Sequence, residues 1–164
     1  MSPESYQRMA RYNRWANRRL FEACAGLDDA ERKRDRQAFF RSIHGTLNHI
    51  LVADRIWLSR LNGQPHGIKT LNQTLFDDFD ALREAREIED GRIVDIADEL
   101  SEDKLRTVLR YANMAGDPQE TRRDIVYMHF FNHQTHHRGQ VHCLLSQAGA
   151  KPPALDLIVF LRES

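Results

Sequence analysis

The sequence predicts an all-α protein: an antiparallel up-and-down four-helix bundle with a short extended hairpin before the last long helix. Apolar residues recur at helical spacing in four segments, and the connections between them carry turn-forming glycine, asparagine and proline. The chain has 164 residues, enough for one hydrophobic core, and no repeat or low-complexity segment divides it. We therefore predict a single domain over residues 1–164.

The first two helices are predicted from apolar stripes with recognisable ends. Ser2-Pro3-Glu4 places a capping residue before a proline suited to the first helical turn, and the first stripe ends near Gly26. The polar stretch 26–37 separates it from the second stripe. That stripe predicts a helix from about Arg41 to Leu61, because Asn62-Gly63 stops it.

The third helix and the hairpin follow a loop that contains Gly63, Pro65 and Gly67. Thr74 is predicted to cap a helix that extends through Leu100, with a kink at Gly91. Beyond it the helical period fades, and alternating apolar residues ahead of a turn at 115–118 predict the extended hairpin. These residues are Leu105, Thr107, Leu109 and Tyr111.

The fourth helix is predicted to open at Thr121 and to end at Gly149, ahead of Lys151-Pro152-Pro153. The segment that follows, LDLIVFLRES, is apolar enough to pack back onto the bundle.

Charge and cysteine content exclude several classes of protein. Lys+Arg and Asp+Glu both number 24, so the formal net charge is zero. The sequence also has no long run of one sign that would indicate a nucleic-acid or membrane-surface partner. Cys24 and Cys143 are far apart and form no C-x-x-C pair, and we interpret Cys143 as a small buried hydrophobe, not a nucleophile. No apolar run reaches the roughly 18 residues that span a bilayer. We expect a soluble, cytoplasmic protein.

Five of the eight histidines fall in the segment MHFFNHQTHHRGQVH. His133 and His137 lie about 40° and about 6 Å apart on a helix, so both imidazoles can converge on one ion. His136 is about 60° away from His133 in the other sense and His142 about 180°, while His129 lies about 12 Å from His137 along the axis. A third ligand has to come from another helix.

The candidates for the third ligand are His44, His49 and His66. His49 is the best placed, because it sits mid-helix in an apolar segment where a buried imidazole needs a partner. His44 lies beside Gly45 near the helix start, where solvent or capping can satisfy it. Three neutral imidazoles suit Zn(II), Ni(II), Cu(II) or Fe(II) and leave a coordination position for water or substrate.

Each of these residues also has a purely structural interpretation. Any single histidine can be a hydrogen-bonded core or surface residue, and the H-x-x-x-H pair alone is a common accident. Asp54 and Arg55 can be solvated helix charges, and Asp54 can instead pair with Arg138 or orient an imidazole. Of these, we expect the ion pair with Arg138. We interpret three aromatic residues as core residues and not as residues that stack on a substrate: Trp57, Trp15 and Tyr12. We interpret Arg122 and Arg123 as the solvated start of a helix and not as an anion site.

Three segments together resemble the DinB/YfiT-like family over nearly the whole chain. YNRWANRRL is similar to the family's opening Y-N-x-W-A-N segment, LNHILVADRIWLSRL to its helix-two signature, and NHQTHHRGQV to its helix-four motif. The resemblance implies a metal triad of His49, His133 and His137 that binds zinc or nickel with water completing the shell. It also implies that His136 is not a ligand and that the protein is a homodimer.

The resemblance leaves two functions open. Relatives bind a low-molecular-weight thiol at the metal and pass it to an electrophile, which predicts a metal-dependent thiol S-transferase or a hydrolase. The alternative is a non-catalytic, stress-induced metal-binding protein whose ion is structural. Nucleic-acid binding is disfavoured by the neutral charge.

Overall fold

Four long helices make up most of the protein in a computed structural model that describes residues 1–163. Three short helices and a two-stranded hairpin join or follow them. In chain order the elements are α1 Pro3–Ala25, α2 Asp29–Lys33, α3 Ile43–Asn62, α4 Phe79–Asp98, α5 Glu102–Arg106, β1 Val108–Ala112, β2 Pro118–Arg122, α6 Arg123–Gln147 and α7 Leu157–Glu163.

The long helices form the predicted four-helix bundle, in which α1 and α3 each contact both α4 and α6. At one end of the core, the starts of α3 and α4 pack together through Ile43 and Phe79. At the other end, Leu61 of α3 packs with Ala97 of α4. The helix directions are therefore up, down, down, up: α3 and α4 run parallel instead of alternating. The connection 63–78 makes this possible because it returns along the whole length of α3.

Capping residues explain where the two parallel helices begin and end. The Ser42 side chain accepts a hydrogen bond from the Gly45 backbone N–H, and Gly63 closes α3 in the left-handed conformation at φ 66°. For α4, Asp78 is the cap and accepts from the Ala81 N–H. The predicted cap at Thr74 is wrong: the backbone stays non-helical until residue 79, and the helix then runs through Gly91 as one element.

The hairpin is confirmed, with Leu109 paired to Thr121 in an antiparallel register. Thr121 therefore belongs to β2, and α6 begins two residues later than predicted. Leu105 and Thr107 also differ from the prediction, because they lie in and at the end of α5. The polar stretch 26–37 contains the short helix α2. No residue of α2 is buried, so this helix has no apolar stripe from which it could be predicted.

The C-terminal segment packs back onto α1, as predicted. The Phe160 ring lies 6.0 Å from the Tyr12 ring and 5.7 Å from the Trp15 ring. Tyr12 is buried and donates a hydrogen bond to the Leu155 carbonyl, 2.7 Å away. Within residues 1–163, no helix is both long and apolar enough to cross a membrane.

A buried polar network runs through the bundle and corrects the predicted partner of Asp54. Asp54 is paired with Arg86 of α4 at 2.5 Å, and it also accepts a hydrogen bond from Gln134. The expected Asp54–Arg138 pair is wrong: Arg138 instead donates to Asn13. Parallel α3 and α4 bring Arg86 to Asp54, an outcome that depends on helix direction and not on local sequence.

The two asparagines of the YNRWAN segment belong to this network. Asn17 and Asn13 donate to the Asp90 carboxylate, with distances of 2.9 and 3.3 Å. Asp90 in turn lies 3.1 Å from the Arg86 guanidinium. All of these groups are buried, and the network joins the four long helices through charged and amide groups. Asp54 Oδ1 and Arg86 Nε have no hydrogen-bond partner among residues 1–163.

Candidate metal centre

Three histidines from two helices meet at one side of the bundle. His49 comes from the first half of α3, and His133 and His137 lie one turn apart on α6. Their Nε2 atoms form a triangle with edges of 3.1 Å for His133–His137, 3.2 Å for His49–His137 and 3.3 Å for His49–His133. The structure thus brings together the three residues that the sequence selected.

The other ring nitrogen fixes the orientation of two of these imidazoles. His49 Nδ1 donates to the Leu71 carbonyl at 2.8 Å, and His137 Nδ1 donates to Gln140 Oε1 at 2.7 Å. Because each proton is on Nδ1, each Nε2 directs a lone pair toward the centre of the triangle. A donor on the outer nitrogen is the arrangement that histidine ligands adopt around metal ions.

The dimensions of the triangle fit one tetrahedral ion. Zn–N bonds of about 2.0–2.1 Å at the tetrahedral angle separate two ligand nitrogens by about 3.3–3.4 Å. The observed edges of 3.1–3.3 Å lie at or just below this separation. With the protons of His49 and His137 on Nδ1, their two lone pairs at this distance repel each other, and a cation between them removes the repulsion.

Burial keeps the cluster in the form that binds metals. It lowers the pKa of His49 to about 4 and the pKa of His133 to about 3, and it lowers the pKa of His137 as well. His137 contributes further to the shifts at the other two through charge repulsion. All three imidazoles are therefore neutral at neutral pH, as ligation requires.

The remaining histidines of the helical segment lie outside the triangle. His136 is exposed and accepts from Gln140 Nε2 at 3.2 Å, and His142 donates to the Pro153 carbonyl at 3.1 Å. His129 packs against Trp57, with ring centres 5.1 Å apart, and its ring is 5.8 Å from that of His133.

His44 and His66 are also engaged elsewhere. His66 Nδ1 accepts from the Ile68 N–H at 3.1 Å within the connection 63–78. His44 is buried and donates from Nε2 to the Phe76 carbonyl at 2.9 Å. The prediction that solvent or a helix cap satisfies His44 is therefore wrong. The connection 63–78 covers the start of α3 and supplies the hydrogen-bond partner instead.

One wall of the centre is formed by Phe40, from the loop ahead of α3. Its ring stacks on the His49 ring with centres 3.7 Å apart and an angle of 15°, and it meets His137 edge-on at 5.6 Å. Gly45 allows this approach, because a Cβ atom there would lie 2.2 Å from the Phe40 carbonyl oxygen. The loop also holds Arg41 at φ 66°, an unusual conformation for a residue with a side chain.

The opposite side of the centre opens into a cavity of about 410 Å³. His49 and His133 are at its inner edge, and Trp57, Arg60 and Tyr111 line it further out. The structure therefore places Trp57 at a cavity wall, although it also packs against the core as predicted. Cys143 is exposed, which corrects its interpretation as a buried hydrophobe, and it lies outside this cavity.

Three residues that support the centre were not predicted from the sequence. Gln140 follows His137 by three residues on the same helix, and this spacing is a signal that was available. Leu71 contributes only its carbonyl, and Phe40 arrives from a loop with left-handed residues, so neither carries a recognisable pattern.

Fold and site together define a class of protein: a helical bundle with a cluster of three neutral histidines beside a cavity. The sequence model of the DinB family matches residues 1–164, and the chain belongs to that family. The curated protein DinB of Bacillus subtilis (strain 168) is 28% identical over 166 residues, covering 93% of this chain and 92% of the relative.

A solved structure shares the fold. The crystal structure of a DinB-like protein from Bacillus cereus ATCC 10987 has a TM-score of 0.63 and 21% sequence identity. The match covers 85% of this chain and 89% of that chain. At this level of identity, the likeness establishes the shared architecture.

Proposed function

We propose that the protein binds one divalent transition metal ion, Zn or Ni, through His49, His133 and His137, and that it is a metal-dependent enzyme of the thiol S-transferase type. The observation that carries the proposal is the Nε2 triangle with edges of 3.1–3.3 Å, the spacing that two nitrogen ligands of one tetrahedral ion adopt.

Catalysis, as opposed to a purely structural ion, is supported by the cavity next to the triangle. Structural zinc sites surround the ion with four protein ligands, whereas three histidines leave a position for solvent or substrate. Here a space of about 410 Å³ borders His49 and His133 and would admit solvent or substrate to such a position. A bound divalent ion would lower the pKa of a thiol or water there and so supply a nucleophile at neutral pH.

The protein's own groups would keep such a site rigid. Leu71 and Gln140 hold two imidazoles by hydrogen bonds, and Phe40 covers the His49 ring. In the overall reaction, the thiol loses its proton to solvent and its sulfur forms a bond to an electrophilic carbon. The leaving group departs from that carbon with the bonding electron pair.

The test is a thiol–electrophile conjugation screen with metal-loaded and chelated protein. Glutathione, bacillithiol and mycothiol are offered with a panel of electrophiles, and the rate is compared with a His133→Ala variant. We expect at least one pair to react only with the loaded wild type. A rate that never depends on metal would favour the second function, a stress-induced protein in which the ion links α3 and α6.

We also propose that the protein is a homodimer. The first half of α6 leaves Ile125 and Met128 about half exposed, at 50% and 47%, and they lie one turn apart on the helix. Such apolar side chains are candidates for burial in an interface. Light scattering coupled to gel filtration should give a mass of about twice 19.2 kDa, and a value near the monomer mass would contradict the proposal.

A further inference from the structure

The cavity beside the metal centre contains a guanidinium without an acidic partner. Arg60 lies three turns after His49 on α3, and its Cζ stands 4.7 Å from the Trp57 ring centre and 4.9 Å from the Tyr111 ring centre. Its Nε is buried and has no hydrogen-bond partner among residues 1–163. Nor does any carboxylate in that part of the chain form an ion pair with it.

This arrangement differs from that of the other buried or half-buried arginines. Arg86 and Arg55 each face a carboxylate, and Arg138 donates to amide oxygens. Two aromatic rings hold the Arg60 guanidinium in place by cation–π contacts but leave its N–H donors unused. A half-buried cation with free donors at a cavity wall is suited to an anionic group of a ligand.

The position of Arg60 relative to the histidines sets the length of that ligand. The two ends of the cavity are joined by a row of rings, with His129 5.8 Å from His133 and 5.1 Å from Trp57. His49 and Arg60 are about 16 Å apart in helix rise, and an arginine side chain leans toward the start of its helix. Along this row of rings, and with Trp57 4.7 Å from the Arg60 Cζ, the guanidinium lies at most about 16 Å from the His133 ring.

The walls between the two ends are mainly apolar. They include Ala53, Ile56, Leu71 and Met114. A spacer with hydrocarbon or aromatic character would bury apolar area against them.

We propose that Arg60 anchors the anionic end of an elongated substrate, such as a carboxylate, whose other end reaches the histidine triangle across this apolar stretch. The inference rests on the proposed function in one respect, because the group that reaches the histidine triangle is taken to be a thiol. The anion site itself needs only the contacts around Arg60.

The first experiment measures thiol binding to protein loaded with Co(II), through the absorption band of the thiolate complex. The probes are mercaptooctanoate and mercaptooctanol, which share a long alkyl chain and differ in the anionic end. We expect wild type to bind the carboxylate about tenfold more tightly. Arg60→Met should abolish the difference between the two probes while leaving cobalt content unchanged, and Arg60→Lys should restore part of the difference.

Arg8→Met is the matched control, because Arg8 is exposed on α1 and the substitution makes the same change in charge. It should leave the preference for the carboxylate intact. Equal binding of the two probes by wild type, or a preference that survives in Arg60→Met, would overturn the inference.

A metal-free experiment separates this inference from the proposed function. In a Trp15→Phe background Trp57 is the only tryptophan of the sequence, and octanoate should change the tryptophan emission in a saturable way that Arg60→Met eliminates. If cobalt does not bind but this response is present, the metal proposal fails and the anion site stands. If cobalt and thiol bind but the response is missing in every variant, the anion site fails.

Discussion

His49 Nε2 lies 3.2 Å from His137 Nε2, although the two residues are 88 positions apart in the chain. Hydrogen bonds to Leu71 and Gln140 hold protons on the far side of both rings, so neither nitrogen has a proton to share with the other. Two facing lone pairs at this distance are unfavourable without a cation. The contact therefore links the fold, which brings α3 against α6, to the proposed function.

Removal of the metal should lower thermal stability. A ligand at about 100 times its Kd stabilises the folded state by about 2.7 kcal/mol, which corresponds to a melting temperature about 5–10 °C higher in a chain of this size. We expect a chelator to lower the melting temperature of wild type by this amount, measured by differential scanning calorimetry. His137→Ala should show no response to chelator, and a response equal to that of wild type would contradict the assignment.

The metal-free protein should lose stability in mild acid. The pKa of His49 is lowered from its ordinary value of 6.5 to about 4, so the unfolded chain binds a proton in this range that the folded chain excludes. Its contribution to the free energy of unfolding is fully present above pH 6.5 and is lost as the pH falls toward 4. His133 acts in the same direction.

The measurement is urea unfolding of the chelated protein at several pH values between these limits. A His49→Gln/His133→Gln double variant is the control, since it retains every carboxylate that titrates nearby. Its stability should fall less steeply with acid than that of wild type. Identical slopes for the two proteins would show that the histidines do not contribute.

Arg86 should matter far more to stability than a neighbouring surface arginine. Its substitution by Met leaves the buried Asp54 carboxylate without its cation, which we expect to cost about 3–5 kcal/mol. Arg83, one turn earlier, forms an exposed pair with Glu87 at 3.7 Å, and Arg83→Met should cost less than about 1 kcal/mol. Chemical denaturation of both variants compares them, and similar losses would refute the structural role of the network.

Gly45→Ala should disturb the metal centre from outside it. The new Cβ would lie 2.2 Å from the Phe40 carbonyl oxygen, so the loop that places the Phe40 ring on His49 has to move. We expect a loss of about 1–3 kcal/mol in stability and weaker metal binding. Gly91→Ala is the control, because nothing lies within 4 Å of its Cβ and alanine favours a helix interior by about 1 kcal/mol.

The four long helices and two of the three metal candidates follow from the sequence because both depend on helical periodicity. His133 and His137 share a helix, so the spacing of one turn fixes their geometry. His49 required a judgement about burial in a second helix. The resemblance to the DinB family supported the same choice.

Contacts between distant segments were not predictable in the same way. The ion pair of Asp54 with Arg86 depends on α3 and α4 being parallel, and that direction is set by a long connection without helical pattern. The stacking of Phe40 on His49 depends on a loop conformation that includes left-handed backbone at Arg41. Neither arrangement leaves a period in the sequence.

The metal content of untagged, purified protein tests the central claim most directly. Elemental analysis should find close to one zinc or nickel ion per chain in wild type and in His136→Ala, whose exposed ring lies outside the triangle. His137→Ala should retain almost none. Wild-type protein without metal even after incubation with Zn²⁺ and Ni²⁺, or a His137→Ala variant that binds as much as wild type, would contradict the account.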